Sequence, residues 1–203
     1  IEDTDRERSK EEYTGQIIDS LDWLGLQWSE PLLFQSERTG AYKNAIHKLL
    51  DNGSAYRCFL TRDELDRARE KAQAKGGDFR APKTYRDIPL QEQKRLLNAG
   101  QSFTVRLKIS PGKTLFNDHI YGDISVNNEE IDDFIIARSD GTPTYNFTVV
   151  VDDYTMGISH VIRGEVHISN TPKQLLIYEA LGYPAPQFAP VSFTHLRAHE
   201  TLL

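Results

Sequence analysis

Two secondary-structure signals meet in residues 134–153, FIIARSDGTPTYNFTVVVDD. The dipeptide Asp140-Gly141 stands between two apolar runs, which predicts a β-hairpin with arms at Phe134–Ala137 and Thr144–Phe147. The next run, Thr148–Val151, is continuously apolar after its first residue, as in a strand buried on both faces of a parallel sheet. The stretch therefore predicts a fold that contains a buried parallel sheet.

Helical patterns lie on both sides of this stretch, and together with the strands they predict the α/β class. Two helices are predicted to begin at capping boxes, Ser9 with Glu12 and Thr61 with Glu64. A later helix is predicted to begin at Thr171-Pro172, with Thr171 as its N-cap. The pattern further predicts helices at 42–50 and between 89 and 100, and strands at 32–34, 103–109 and 158–162.

The charge of the chain is unevenly distributed. Its 203 residues include 24 Lys+Arg and 30 Asp+Glu, a net charge of −6, and 38% of them are hydrophobic, which excludes a disordered chain. Residues 54–115 carry 14 basic and 7 acidic side chains, net +7, between acidic segments. This basic segment could meet nucleic-acid phosphates, and a solvated helical surface explains the same charges.

Few residues point to chemistry by themselves, because the sequence contains no nucleophile motif, P-loop or dinucleotide fingerprint. Asp152-Asp153 could be a metal or general-base pair at a strand end, or an exposed turn. Arg163, between a predicted strand and helix, could hold a carboxylate or cap neighbouring carbonyls. The single cysteine, Cys58, excludes an internal disulfide and is interpreted as a small buried residue.

Several blocks, in order along the chain, resemble segments of the glutamyl-tRNA synthetases. The resemblance covers roughly residues 1–190, and a set of ordered blocks is far more specific than any single short motif. The blocks are Ile1–Ser9, Leu21–Leu26, Gln35–Arg38, Ala55–Cys58, Arg138–Phe147, Val150–Asp153, His160–Glu165 and His167–Pro172.

The resemblance implies a Rossmann-type class I catalytic domain interrupted by an α+β insertion that holds the tRNA acceptor end. Residues 1–53 would form the first part of the catalytic domain, 54–139 the insertion and 140–190 the second part. Residues 191–203 do not resemble the family and form an atypical tail that could be foreign. The family's HIGH-type motif would lie upstream and its KMSKS-type loop downstream, so the isolated chain is expected to be inactive.

The implied activity is that of a glutamate–tRNA ligase. L-glutamate is activated with ATP and Mg²⁺ to glutamyl-adenylate, and the glutamyl group passes to the 3′ end of tRNA(Glu) without a covalent enzyme intermediate. The resemblance also implies a monomer in the cytoplasm, or else in an organelle matrix, with no membrane segment. Two alternatives remain: a glutamyl-queuosine tRNA synthetase, and a non-catalytic tRNA-binding fragment that relies on residues 54–115.

Site residues follow from the matching positions. Glu2 would receive the α-ammonium of glutamate, Tyr145 would hydrogen-bond the substrate and Arg163 would clamp a carboxylate. The remaining implied contacts are Glu165 and His167 to the nucleotide, and Arg57, Arg138, Asp140 and Thr142 to tRNA. Val166 stands where relatives usually carry an acidic residue near ATP. No zinc is predicted, because Cys58 is the only cysteine where some relatives use several.

Overall fold

The computed structural model describes residues 1–4, 9–28, 31–77 and 79–191, which divide between two compact units, Ile1–Asn44 and Ala45–Leu203. The helices are α1 Glu11–Trp23, α2 Thr39–Asp51, α3 Arg62–Ala74, α4 Leu90–Asn98, α5 Tyr145–Thr155 and α6 Thr171–Leu181. The strands are β1 Ala55–Cys58, β2 Thr104–Leu107, β3 Lys113–Asp118, β4 Gly122–Asn127, β5 Ile135–Ala137, β6 His160–Gly164 and β7 Gln187–Val191. Helices with mixed sheets confirm the predicted α/β class.

In the first unit, α1 begins later than predicted. Its N-cap is Lys10, with no side-chain cap, so the predicted Ser9–Glu12 capping box is wrong. The helix does end at Gly25, which has φ 71° and so takes the left-handed conformation that glycine adopts at low cost. The predicted strand at 32–34 is also wrong. This segment makes two backbone hydrogen bonds with the start of the chain, from the Ile1 amino group to the Leu33 carbonyl and from the Gln35 amide to the Ile1 carbonyl, but it forms no strand.

The first sheet of the second unit has the order β1-β2-β5 and is antiparallel throughout. Its inner residues are apolar, and Cys58 is buried with a free thiol, which confirms the interpretation of this cysteine. The alternation of β2 predicts an outward Arg106, but Arg106 is buried as well. Its Nη1 donates to the Asp133 carbonyl at 2.6 Å, which compensates part of the cost of burial, whereas its Nε is buried and has no hydrogen-bond partner among the described residues.

The second sheet has the order β4-β3-β7-β6. β3 and β4 form an antiparallel hairpin, whereas β7 runs parallel to both β3 and β6. Phe188 of β7 is buried, and the core of this unit also includes buried side chains of α5 and α6, among them Phe147, Val150, Ile177 and Leu181. Because β6 and β7 pair in parallel, the carboxyl end of β6 lies beside β7. The candidate site described below lies at this end of β6.

Residues 144–151 are not strands, and both predictions for them are wrong. They cap and open α5, whose Phe147, Thr148, Val150 and Val151 are all buried. A helix that is apolar over most of its surface has the same short pattern as a buried strand, so periodicity alone cannot separate the two. The Thr148 hydroxyl donates to the Thr144 carbonyl at 3.0 Å, a bond within the helix that suits this β-branched residue.

The predicted hairpin around Asp140-Gly141 is therefore half right. A tight turn is present, since the Arg138 amide donates to the Thr142 carbonyl at 2.8 Å. Beyond it the ladder is limited to a single bridge between Ala137 and Pro143, because the chain enters α5 at Tyr145. Thr144 then bonds back to β5 through the Ile136 carbonyl at 2.9 Å and becomes the N-cap of α5.

The other helix predictions agree more closely with the structure. The Thr61–Glu64 capping box is present in full at the start of α3. α2 and α4 occupy the predicted ranges, and α6 starts at Thr171 with Pro172 in its first turn, although its N-cap is Asn170. None of the helices in the described residues combines the length and apolar character needed to cross a membrane.

Candidate functional site

The candidate site is centred on Arg163, the second-last residue of β6. Its Nη2 donates to the Thr171 hydroxyl of α6 at 2.8 Å, and its guanidinium lies over the Phe188 ring of β7, 5.5 Å from the centroid. Three different elements therefore fix one cation.

The Tyr145 hydroxyl is hydrogen-bonded to the same guanidinium. Tyr145 is the first residue of α5, and 47% of it is exposed. Burial lowers the pKa of Arg163, while the hydrogen-bonded Tyr145 hydroxyl and the charge of Asp153 act in the opposite direction. Since even a lowered arginine pKa stays far above neutral, the site holds a permanent positive charge beside a solvent-facing phenol.

Asp152 and Asp153 occupy the last turns of α5, so they neither follow a strand nor form an exposed turn. Asp152 is buried. Tyr178 of α6 donates its hydroxyl to Asp153 at 3.5 Å, and burial together with the Asp153 charge raises the pKa of Tyr178. Asp153 of α5 thus provides a negative charge near Arg163, and its hydrogen bond with Tyr178 links it to α6.

Glu2 lies in the first unit, whereas Tyr145 and Arg163 lie in the second. Glu2 is exposed, and its neighbour Asp3 anchors this segment by accepting bonds from the Ser36 amide at 2.8 Å and the Ser36 hydroxyl at 2.6 Å. Partial burial alone would raise the pKa of Asp3, but the bonds from Ser36 leave it lowered. The backbone of Glu2 is therefore held close to the start of α2.

A short 3₁₀ helix, Glu165–Asn170, links Arg163 to Thr171. It carries both candidate nucleotide residues, of which His167 is exposed. The side chains of Glu165 and Val166 lie outside what the structure describes, as do residues 192–203 of the predicted tail. His160, exposed at the start of β6, stacks on His119 with the two rings 6.5 Å apart.

Three of the four candidate tRNA residues share one turn. The Thr142 amide donates to the Asp140 carboxylate at 2.8 Å, and Arg138 opens the same turn. These bonds from Thr142 lower the pKa of Asp140 below the usual aspartate value. The turn follows β5 directly, so its exposed side chains lie at one end of the first sheet.

Arg57, the fourth candidate, belongs to the same sheet. The register pairs Arg57 with Val105 and Val105 with Ala137, so Arg57 lies in line with the residue just before Arg138. Its Nη1 donates to Gln93 of α4 at 2.9 Å, and its guanidinium lies over the Phe103 ring at 5.6 Å. The sheet thus gathers the four predicted tRNA residues at one end.

The described residues contain no group of three or more His, Cys, Asp or Glu side chains placed to hold a metal ion. Mg²⁺ in nucleotide enzymes is commonly held by substrate phosphates with one or two carboxylates, so it does not need such a cluster.

Sequence reasoning missed the surroundings of Arg163. Thr171 was predicted as an N-cap, yet its hydroxyl accepts from Arg163. Phe188 and Tyr178 carried no signal, because their proximity to Arg163 depends on the packing of β7 and α6. Asp153 was singled out only as half of a possible metal or general-base pair, not as a charge beside Arg163.

Comparison with known proteins places the whole chain in one group. The family model described as "tRNA synthetases class I (E and Q), catalytic domain" matches residues 1–202. The glutamate–tRNA ligase of Coprothermobacter proteolyticus is 51% identical over 193 residues, which cover 94% of this chain and 41% of that protein. The glutamate–tRNA ligase of Aquifex aeolicus is 51% identical over 190 residues, covering 93% and 40%.

A solved structure has the same fold. The crystal structure of a glutamate tRNA ligase from Elizabethkingia meningosepticum, in complex with its amino acid, superposes with a TM-score of 0.85 at 35% identity. It matches 95% of this chain and 41% of that chain. The chain thus spans about 40% of the length of the curated relatives it matches.

Proposed function

Because the chain belongs to the family of class I tRNA synthetases (E and Q), catalytic domain, we propose that it is part of a glutamate–tRNA ligase. The expected class I catalytic-domain fold is confirmed by the likeness to the solved ligase. In the proposed activity, ATP activates L-glutamate to glutamyl-adenylate, and the glutamyl group passes to the 3′ end of tRNA(Glu). Residues 54–139 act as the insertion that receives the acceptor end.

The observation that carries this proposal is the cation fixed at Arg163. Glutamate differs from most amino acids by a second carboxylate, and a planar guanidinium recognises a carboxylate with two parallel hydrogen bonds. Arg163 is half-buried and already oriented by Thr171 and Phe188, so little ordering is needed when the substrate binds. Tyr145, which is 47% exposed, adds a hydroxyl that is hydrogen-bonded to the guanidinium.

The other substrate groups have separate candidates. Glu2 supplies a carboxylate for the α-ammonium of glutamate, and Asp3 with Ser36 keeps that segment in place. Glu165 and His167 follow Arg163 in the short 3₁₀ helix after β6, and we propose them as the nucleotide contacts. Mg²⁺ would enter with the ATP phosphates and neutralise their charge; we assign it no ligand in this chain.

The proposed tRNA contact is the end of the first sheet. Arg57 and Arg138 supply positive charge for phosphates, while Asp140 and Thr142 offer an acceptor and a hydroxyl for bases or riboses. The turn that holds them is ordered before tRNA arrives, because its carboxylate and amides are already bonded. We further propose that the protein acts as a monomer in the cytoplasm, without zinc; light scattering of the purified protein tests the monomer.

The test is the binding of L-glutamate to the isotopically labelled chain, followed by NMR. We expect saturable shifts at the amides of Tyr145, Arg163 and Thr171, and weaker binding of L-glutamine, which lacks the second carboxylate. Arg163→Gln should abolish the shifts, whereas Arg69→Gln, an exposed surface arginine of α3, should leave them unchanged. Equal affinity for glutamine, or shifts that survive Arg163→Gln, would contradict the proposed substrate.

A further inference from the structure

We propose that Thr171 is a positioning residue, whose hydroxyl sets the orientation of the Arg163 guanidinium for a carboxylate ligand. The role of that ligand rests on the proposed function, but the positioning contact does not. The Thr171 hydroxyl accepts from Nη2 at 2.8 Å, and Thr171 is only 3% exposed. A buried side chain at the first position of α6 has few rotamers, so its oxygen offers a fixed reference point.

The hydroxyl is free for this task because it does not cap α6. Asn170 is the N-cap residue, and its own side chain makes no capping bond. The usual reason for threonine at a helix start is therefore absent, and the bond to Arg163 remains as the role of this oxygen. The prediction of Thr171 as the N-cap of α6 is therefore wrong, but it singled out a residue whose hydroxyl has another partner, Arg163.

Besides the hydrogen bond with the Tyr145 hydroxyl, two contacts orient the guanidinium. The buried Phe188 ring lies below its face at 5.5 Å and fixes its plane. The Thr171 bond fixes the rotation within that plane, because it holds one of the two Nη groups. A guanidinium has five N–H donors in a rigid fork, so fixing one of them determines where the others point.

Without the hydroxyl, a competing partner becomes important. The negative charge of Asp153, on α5, acts electrostatically on the same guanidinium. A guanidinium free to rotate would turn toward this carboxylate, and its fork would no longer face an incoming ligand. Loss of the Thr171 hydroxyl should thus weaken carboxylate binding although the charge of Arg163 is unchanged.

The experiment compares Thr171→Val, which keeps the shape but removes the hydroxyl, with Thr171→Ser, which keeps the hydroxyl. In the first arm, ¹⁵N NMR follows the rotation of the Arg163 Nη groups in the chain without ligand. We expect the valine variant to rotate faster than the unmodified chain and the serine variant to match the unmodified chain. Equal rotation in all three proteins would overturn the positioning role.

The second arm measures the affinity for L-glutamate by calorimetry. Hydrogen bonds to charged groups contribute enough that Thr171→Val should weaken binding by about ten- to a hundredfold, with Thr171→Ser close to the unmodified chain. Thermal unfolding must show similar midpoints for all three, since a purely structural loss would lower the midpoint instead. If the unmodified chain binds no L-glutamate, the proposed function fails, while the rotation measurement still decides the role of Thr171.

Discussion

The Arg86 guanidinium donates to the Asp133 carboxylate at 3.2 Å, although the two residues are 47 positions apart in the chain. Asp133 is only 1% exposed. Its carboxylate also accepts from the Ile109 amide at 2.9 Å and the Tyr56 hydroxyl at 3.2 Å. This buried carboxylate joins the segment before α4 to both β1 and the end of β2.

We expect Asp133→Asn to lower the free energy of unfolding by about 3 kcal/mol, because removing one partner of a buried ion pair leaves the other uncompensated. Asp66→Asn is the matched control, since Asp66 pairs with Arg69 at 2.9 Å while both side chains are about half exposed. Such exposed pairs contribute at most about 1 kcal/mol. Urea denaturation measures both variants, and equal losses would contradict the assigned role of Asp133.

Two capping boxes predicted from the same pattern give a second comparison. Thr61→Ala should destabilise the protein by about 1 kcal/mol, because the Glu64 amide loses its acceptor at the start of α3. Ser9→Ala should change the stability by less than about 0.5 kcal/mol, since α1 has no side-chain cap. Thermal or urea unfolding tests the pair, and a larger loss for Ser9→Ala than for Thr61→Ala would refute the helix starts described here.

The turn after β5 predicts a pH dependence. The Thr142 bonds lower the pKa of Asp140, so the turn is fully stabilised above the usual aspartate pKa and loses this stabilisation as the pH falls through the lower, folded value. The amide shift of Thr142 should therefore titrate with a midpoint below that of an ordinary aspartate. Asp140→Asn should remove the transition, and a midpoint at or above the ordinary value would disprove the contact.

Binding of tRNA should depend on both arginines at the end of the first sheet. Arg57→Gln and Arg138→Gln should each weaken binding and reduce the salt slope of log K by about one, as expected when one phosphate contact is lost. Arg95→Gln is the control, because Arg95 already pairs with Glu92 at 2.7 Å. Fluorescence anisotropy at several salt concentrations provides the slopes, and unchanged slopes for both variants would exclude a phosphate contact at this end.

The sequence was informative where local chemistry determines structure. Gly25 ended α1 as predicted, and the Thr61–Glu64 box opened α3, because capping depends on residues a few positions apart. The Ser9–Glu12 pair fits the same capping-box pattern, but α1 has no side-chain cap. A short sequence pattern can thus predict a capping interaction that the folded chain does not form.

The type of a buried element and the environment of a single side chain were harder to predict from the sequence than the ends of helices. Thr148–Val151 were predicted to form a strand, yet they belong to α5, which buries most of them and packs against α6. The alternation of β2 predicted a solvent-facing Arg106, yet this residue is buried and donates a hydrogen bond to the carbonyl of Asp133, 27 positions away. Both errors have one physical cause: partners far along the chain decide the environment.

The same limit applied to the candidate site. Arg163 and Tyr145 were predicted as substrate contacts by resemblance, and the structure places them together. The residues that orient Arg163 could not be predicted, because Thr171 and Phe188 reach it only after β6, β7 and α6 have packed. Orientation of a functional group is a property of the assembled layers, whereas its identity is a property of the sequence.

The pairing of β3 with β7 also has a consequence for the order of folding. β3 and β4 are joined by a short turn and can form their hairpin from local contacts, but β7 lies about seventy residues later in the chain. Closing so long a loop is entropically costly, and parallel pairing between distant strands forms slowly. During synthesis on the ribosome, the end of β3 at Asp118, which pairs with Phe188 in the folded protein, therefore stays unpaired until β7 emerges, and until then it can pair with wrong partners.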